Sequence, residues 1–104
     1  FHLINNAIEA VTNQKIRKIK LQTFRENDQF VFSIEDSGIG ISPKIQNRIF
    51  EPFFTTKEVG KGSGLGLSIA KGIIESHKGV LFVDPLNNRK LVFKIPMQLV
   101  YLNP

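Results

Sequence analysis

The sequence predicts an α+β fold, a two-layer sandwich in which helices pack on one face of a mostly antiparallel mixed sheet. Two segments show the apolar spacing of helices, and four show the alternation or apolar runs of strands. The predicted order is helix, hairpin, short helix, loop, helix, hairpin. With 104 residues, 41% of them hydrophobic, the chain can form one small domain with a single core. We expect residues 1–104 to be one domain of a longer protein, because the chain opens inside a helix.

The first helix is predicted from an apolar stripe at helical spacing. The stripe consists of Leu3, Ile4, Ala7, Ile8 and Val11. The opposite face carries the polar residues His2, Asn6, Glu9 and Asn13. This pattern is typical of a helix that packs on a core with one face only.

A β-hairpin is predicted next. Ile19, Leu21 and Thr23 alternate with polar residues, and a second run alternates in the same way through Phe30, Phe32 and Ile34. The polar residues 26–28 between the two runs indicate a turn.

A short helix and a loop follow the hairpin. Ser42 is predicted to cap a helix that has Pro43 at its first position and ends near Ile49. Residues 51–63 contain three helix breakers and no clear period, so we predict a mobile loop there.

The second long helix and the last hairpin complete the predicted fold. The helical stripe runs from Leu65 to His77 and ends before Gly79. Two strands are predicted at 80–83 and 91–95, joined by a turn from Pro85 to Arg89.

Composition excludes several classes of protein. The chain has no cysteine, so a disulfide scaffold, a thiolate metal site and a cysteine nucleophile are excluded. No apolar run is long enough to cross a membrane, and no signal peptide is visible. The net charge is +5, but the basic residues are scattered without interleaved aromatics, so we predict no nucleic-acid partner.

Asp36 is the first candidate for chemistry. Strand alternation places it on the core face with Phe32 and Ile34, where a carboxylate needs a partner. The exocyclic amine of adenine is a suitable donor, and Gly38 and Gly40 allow a close approach of the backbone or a positive φ. The residues alone leave a second interpretation open, in which Asp36 caps its own tight turn.

The polar face of the first helix supplies the second group of candidates. The amide oxygen of Asn6 is suited to Mg²⁺, which keeps several waters and takes few protein oxygens. His2 and Glu9 lie one turn to either side and are candidates for a catalytic role. Ordinary solvated polar residues would show the same pattern.

A glycine run at the start of the second helix is the third candidate. Backbone N–H groups of closely spaced glycines, together with the positive end of a helix, can bind phosphate. Walker A and Rossmann motifs do not fit, because Lys61 is followed by Gly62 and the run follows a loop rather than a strand. The protein-kinase motifs are absent as well.

Four segments in this order resemble the ATP-binding catalytic domain of bacterial sensor histidine kinases, within the wider group of gyrase, heat-shock chaperone, histidine kinase and MutL ATPases. Residues 3–10 resemble the N box and residues 36–40 the first glycine box. Residues 49–57 resemble the F box and residues 60–68 the second glycine box. The similarity covers residues 1–95.

The resemblance implies a role for each matched position. Asn6 would bind Mg²⁺, and Asp36 would accept a hydrogen bond from the adenine amine near Gly40. Phe50 and Phe53 would anchor an ATP lid at about 51–63. The implied ATP-binding residues are Asn6, Asp36, Gly38, Gly40, Lys57, Lys61, Gly62, Ser63, Gly64, Leu65 and Gly66. The chain departs from the family at His2, where an asparagine is common, and at Asn87 to Arg89, where a Gly-Thr pair is usual.

The implied activity is that of a protein-histidine kinase. The domain would bind Mg-ATP and donate the γ-phosphoryl group to a histidine on a separate dimerisation domain of the same protein. The implied partners are that domain, a response regulator and a second copy in a homodimer. The implied location is the cytoplasm, with a membrane anchor in the parent protein left open. Two alternatives remain: a related ATPase or anti-sigma-type serine kinase, and a non-catalytic nucleotide-binding scaffold.

Overall fold

The computed structural model describes residues 1–54 and 65–97. Its elements follow one another as α1 (His2–Val11), β1 (Ile19–Glu26), β2 (Gln29–Asp36), α2 (Gly66–Ser76), β3 (Val80–Val83) and β4 (Lys90–Pro96). The strands form one sheet in the order β1-β2-β4-β3. All of its described pairings are antiparallel. The predicted α+β fold is confirmed.

The β1–β2 hairpin brings β2 to the centre of the sheet. Asn27 adopts a φ of 54° in the turn, a left-handed value that asparagine tolerates better than most residues. β2 then pairs with β1 on one side and β4 on the other, so that Glu35 lies between Lys20 and Lys90. This register places the end of β2, and with it Asp36, beside the β3–β4 turn.

The hydrophobic core lies between the helices and one face of the sheet. The strands contribute Ile34, Leu81 and Leu91, and the rings of Phe32 and Phe93 stack with their centroids 4.9 Å apart. The helices and the segment after β2 contribute Leu3, Ala7, Ile49, Ala70 and Ile74. Among the described residues, no helix has the length and apolarity needed to span a membrane.

The apolar stripes of the helices are narrower than predicted. On α1, Leu3 and Ala7 are buried, whereas Ile4 and Ile8 remain 38% and 48% exposed. Residues 4 and 8 lie about 100° around the helix from residues 3 and 7, at the edge of the buried face. The prediction that all five stripe residues face the core is therefore wrong.

The predicted short helix after β2 is a chain of turns in the structure. Its backbone hydrogen bonds mostly join residues three apart, and one bond, from Ile49 N–H to Ile45 O (3.2 Å), joins residues four apart. Ser42 Oγ accepts from Lys44 N–H at 3.3 Å, so the predicted residue forms a side-chain contact at the first turn but does not cap a helix. Core contacts of Ile45 and Ile49, rather than a regular ladder of helical hydrogen bonds, hold this segment in position.

Helix α2 ends at Ser76, before Gly79 as predicted. The left-handed residue there is Lys78, with a φ of 61°, and not the glycine that follows it. Gly79 N–H donates to Ile74 O (2.9 Å), and a Cβ at residue 79 would collide with the carbonyl oxygen of Lys94. Gly79 is therefore required by close packing of two backbones and not by its φ.

Candidate functional site

A cavity of about 520 Å³ opens between α1, the end of β2 and the start of α2. This volume lies in the range of small-molecule sites. The polar residues at its wall include His2, Asn6, Glu9, Asp36, Asn88 and Arg89. Its apolar wall includes Ile34, Ile39, Ile41, Ile45, Ile49 and Leu91. The cavity thus combines an apolar lining with a few polar groups, as ligand sites do.

Helix α1 gives the cavity two distinct ends. Near its start, the imidazole of His2 lies against Gly66, the first residue of α2, with Nδ1 3.6 Å from the position a Cβ would take there. Near its end, the carbonyl of Ala10 lies against Gly38. Eight residues separate these contacts, which corresponds to about 12 Å along a helix. A ligand that spans the cavity would meet Asp36 at one end and the α2 N-terminus at the other.

Asp36 caps its own turn, and its side chain also lines the cavity. Its Oδ1 accepts a hydrogen bond from Gly38 N–H at 2.8 Å, so the residue does cap its own turn. No hydrogen bond joins Oδ2 to any other described residue, and the side chain lines the cavity. Burial raises the pKa of Asp36 above its ordinary value of 3.8, although the Gly38 amide and the Arg89 guanidinium act in the opposite direction.

The two glycines after Asp36 are required for different reasons. Gly40 has a φ of 86°, and a Cβ there would lie 2.6 Å from Asn88 Oδ1. A Cβ on Gly38 would lie 2.8 Å from both Ala10 O and Asp36 Oδ1. Gly38 lies behind the cavity wall rather than on it, so its close approach is to α1.

Four hydrogen bonds hold the glycine loop, residues 36–41, against the β3–β4 turn. Asp36 N–H donates to Arg89 O (3.1 Å), and Arg89 Nε donates to Gly38 O (2.7 Å). Ile41 N–H donates to Asn88 O (2.9 Å), and Asn88 Nδ2 donates to Ile41 O (3.3 Å). The sequence identifies residues 87–89 only as a departure from the family. The pairing of β2 with β4 gives Asn88 and Arg89 their role.

Ser37 joins the glycine loop to the connection between α1 and β1 through hydrogen bonds. Its Oγ accepts from Lys18 N–H and donates to Ile16 O, both at 2.8 Å. Its backbone N–H donates to Lys18 O at 3.0 Å. The connection between α1 and β1 is therefore part of the support of Asp36.

The polar face of α1 presents side chains with few protein partners. Asn6 and His2 line the cavity half-buried, and neither side chain forms a hydrogen bond or ion pair with another described residue. Glu9 is exposed and also lines the cavity. Within residues 1–54 and 65–97, no cluster of three histidine or carboxylate side chains could hold a metal ion.

Part of the predicted phosphate site lies in the described part of the chain. Gly66 begins α2 and lines the cavity, so the positive end of this 11-residue helix faces the ligand space. Leu65 precedes it as the N-cap residue. The other predicted residues of this site, Lys57, Lys61, Gly62, Ser63 and Gly64, lie outside the described residues.

The aromatic residues of the F box contribute unequally. Phe50 packs against the core beneath Lys71, whose Nζ is 5.2 Å from the ring centroid, and Phe54 lies beneath Arg48 at 4.7 Å. Phe53 is 73% exposed and adopts a φ of 68°. Among the described residues of this segment, Phe54 rather than Phe53 is therefore the second aromatic side chain that packs against the core. The predicted lid at 51–63 lies mostly outside the described residues.

Comparison with known proteins places this geometry among nucleotide-binding domains. Residues 1–99 match the family described as histidine kinase-, DNA gyrase B- and HSP90-like ATPases. A sensor kinase, CckA of Brucella abortus, is 47% identical over 78 residues, which are 75% of this chain and 8% of that protein. Sporulation kinase A of Bacillus subtilis is 44% identical over 94 residues, 90% of this chain and 15% of that protein.

Solved structures agree with the sequence comparison. The nucleotide-free catalytic domain of histidine kinase ThkA is 38% identical, with a TM-score of 0.78 over 92% of this chain and 62% of that chain. Full-length ShkA in complex with AMPPNP is 28% identical, with a TM-score of 0.74 over 91% of this chain and 20% of that chain. This chain therefore spans only a small part of the full-length sensor kinases that it matches.

Proposed function

The chain belongs to the family of histidine kinase-, DNA gyrase B- and HSP90-like ATPases, and we propose that it is the catalytic domain of a sensor histidine kinase. In this role it binds Mg-ATP and donates the γ-phosphoryl group to a histidine on a separate dimerisation domain. The observation that carries the proposal is the two-ended cavity along α1, with Asp36 at one end and the N-terminus of α2 at the other. The similarity to the catalytic domain of histidine kinase ThkA supports the choice of histidine as acceptor.

The Asp36 end suits adenine. The free Oδ2 of Asp36 can accept a hydrogen bond from the exocyclic amine, while Oδ1 remains bonded to Gly38 N–H. Apolar side chains, among them Ile39 and Leu91, line the cavity near this carboxylate and can cover the faces of the ring. Guanine presents a carbonyl oxygen at the matching position, so the carboxylate would select against it.

The α2 end suits the phosphates. The backbone N–H groups at the start of α2 lack helical partners, and the positive end of the helix attracts anions. Gly66, the first residue of α2, can therefore contribute a donor, and we also propose phosphate contacts from Gly62, Ser63, Gly64 and Leu65. His2 lies beside Gly66, which places its imidazole within reach of the same phosphate oxygens. We propose Lys57 and Lys61 as further phosphate contacts.

Asn6 fits a magnesium ion held mainly by the nucleotide. Its amide lines the cavity and has no hydrogen-bond partner among the described residues, and Mg²⁺ bound through phosphates needs only one or two protein oxygens. The missing carboxylate cluster among the described residues is consistent with such a site. When bound, the ion would neutralise charge on the β- and γ-phosphates.

Transfer in this site depends on alignment. The attacking ring nitrogen of the acceptor histidine forms a bond to the γ-phosphorus as the bond to the bridging oxygen breaks, and ADP leaves. The chain's own residues hold the base and the phosphates, so that the γ-phosphorus is presented in a fixed position. Glu9 is a candidate for contact with the incoming group, since it lines the cavity on the same helix as Asn6.

The proposed role also requires a phosphoacceptor, a dimer partner and a downstream receiver of the phosphoryl group. We propose that the acceptor histidine lies on a helical dimerisation domain of the same protein, that the full-length protein is a homodimer, and that a response regulator receives the phosphoryl group. We place the domain in the cytoplasm, where ATP is available.

Labelling with [γ-³²P]ATP tests the acceptor. The longer protein that contains this domain is incubated with Mg-ATP, and the label is challenged with acid and with base. We expect a label that is stable in base and lost in acid, as phosphohistidine is. A label stable in acid would identify a serine kinase, release of inorganic phosphate alone would identify a hydrolase, and ATP binding without either product would identify a scaffold.

A further inference from the structure

Hydrogen bonds connect Arg89 to the turn that begins at Asp36, although 53 positions separate the two residues in the sequence. The Arg89 carbonyl accepts from Asp36 N–H at 3.1 Å, and Arg89 Nε donates to Gly38 O at 2.7 Å. Gly38 N–H in turn donates to Asp36 Oδ1 at 2.8 Å. These three bonds close a ring that contains the backbone of the turn, the carboxylate and the arginine.

The turn that carries Arg89 is itself preorganised. Asn87 Oδ1 accepts from Arg89 N–H at 3.0 Å, and Asn87 N–H donates to Asp84 O at 3.1 Å. Asp84 also pairs with Lys90, with 3.7 Å between its Oδ2 and the lysine Nζ. These contacts within the turn hold the backbone of Arg89 in position beside the end of β2.

The position of Arg89 favours a role at the base end of the cavity. It lines the cavity and contacts Gly38, which packs on Ala10, about 12 Å along α1 from the contact between His2 and Gly66. An arginine at the other end would instead suggest a phosphate contact. Within residues 1–54 and 65–97, the charged groups that act on Asp36 are Arg89 and Glu35, and they act in opposite directions.

We propose that Arg89 is a positioning residue that makes Asp36 selective for an amino group on the base. Its Nε–H holds the Gly38 carbonyl, its carbonyl holds the Asp36 amide, and its positive charge favours the ionised form of the carboxylate, in which Oδ2 is an acceptor. This inference rests on the proposed function, because it assumes that Asp36 binds the adenine amine.

The test compares two nucleotides that differ only at that amino group. Dissociation constants are measured for ATP and for purine riboside triphosphate, in which hydrogen replaces the 6-amino group. The variants are Arg89→Met, which removes both charge and donor, Arg89→Gln, which keeps a donor, and Arg89→Lys, which keeps the charge. Arg17→Met is the matched control, because Arg17 Nε also donates to a backbone carbonyl (Gln14 O, 2.9 Å); Gln14 lines the cavity, but Arg17 itself is exposed and does not.

We expect the wild-type domain to bind ATP about tenfold or more tightly than the analogue, the size of one hydrogen bond to a charged group. Arg89→Met should weaken ATP binding until the two nucleotides bind alike, with the analogue changed by less than about threefold. Arg17→Met should preserve the preference for ATP. Equal loss of both nucleotides, or an unchanged ratio in Arg89→Met, would overturn the inference.

The pH dependence of ATP affinity distinguishes a positioning role of Arg89 from a role in the stability of the fold. Loss of the guanidinium removes a group that lowers the pKa of Asp36, so ATP affinity in Arg89→Gln should begin to fall at a higher pH than in the wild type. Arg89→Lys should restore the wild-type profile. If Arg89→Met does not fold, these two variants decide the question, and superimposable profiles would overturn the inference. A wild-type domain that binds both nucleotides equally would overturn the adenine assignment itself.

Discussion

The two ends of the cavity are built in opposite ways. At the Asp36 end, hydrogen bonds from Ser37, Asn88 and Arg89 fix the glycine loop before any ligand is present. At the α2 end, the side chains of Asn6 and His2 have no hydrogen bond or ion pair within the described residues. Under the proposed function, the difference means that the protein determines the position of the base, whereas nucleotide and metal ion complete the phosphate end.

Such a division has a physical reason. A flat base is recognised by donors and acceptors at fixed positions, so its site gains from rigidity. A triphosphate with its metal ion carries its own charge and coordination shell, so its site needs oriented dipoles and a few ligands. Substitutions at the two ends should therefore differ in kind as well as in size.

The largest effect is expected for Asp36→Asn. The substitution keeps an oxygen for Gly38 N–H but loses the charged acceptor, so ATP affinity should fall by about 2–3 kcal/mol, or roughly 30- to 150-fold. Calorimetric titration measures the change. Asp28→Asn in the exposed β1–β2 turn is the matched control and should bind as the wild type does. Unchanged affinity in a folded Asp36→Asn domain would refute the adenine assignment.

A second substitution tests whether the base end is rigid by construction. Gly40→Ala forces a side chain into a left-handed backbone 2.6 Å from Asn88 Oδ1, which should lower the free energy of unfolding by about 1–3 kcal/mol.

The control is Gly72→Ala, because a Cβ at this helical position meets nothing within 4 Å. This change should stabilise the domain by about 0.5–1 kcal/mol. Chemical denaturation measures both variants, and a Gly40→Ala domain as stable as Gly72→Ala would show that the loop is not constrained.

At the phosphate end, Asn6→Ala should act through the metal ion. ATP affinity in the presence of Mg²⁺ should fall by about tenfold, or about 1.4 kcal/mol, and affinity in its absence should change little. Asn47→Ala, at an exposed asparagine outside the cavity, is the control. An equal loss with and without Mg²⁺ would argue against a ligand role for Asn6.

The smallest effect concerns pH. Because burial raises the pKa of Asp36 above 3.8, the folded state holds this proton more tightly than the unfolded state does. The stability from Asp36 is therefore fully present below pH 3.8 and is lost as pH rises through the folded pKa. Asp36→Asn should remove this dependence, so that the ligand-free variant is at least as stable as the wild type at pH 7. Loss of stability in the variant would contradict this account.

Sequence reasoning could predict most of the fold because the decisive signals are local. Alternation in β2, the turn at Asn27 and the helical spacing in α1 and α2 all gave elements that the structure contains. The prediction of a short helix after Ser42 was wrong, because the apolar residues of this segment pack on the core without a ladder of helical hydrogen bonds. Exposure of Ile4 and Ile8 depends on how widely neighbouring elements cover α1, which a spacing pattern does not specify.

The site could be predicted in part for the same reason. Asp36, Gly40 and Asn6 lie in motifs whose spacing is visible in the sequence, and all three line the cavity. The role of Arg89 depends on the pairing of β2 with β4, a contact between distant residues, and no local pattern indicates it. The packing of Gly38 on Ala10 is likewise a tertiary contact.

Titration of the domain with ATP by calorimetry, with and without Mg²⁺ and with GTP for comparison, tests the central claim most directly. The account predicts ATP binding that strengthens with Mg²⁺, and GTP binding that is weaker by about tenfold or more, because guanine offers no amine at the position that faces Asp36. Equal binding of GTP and ATP, or no ATP binding by a domain shown to be folded, would contradict it.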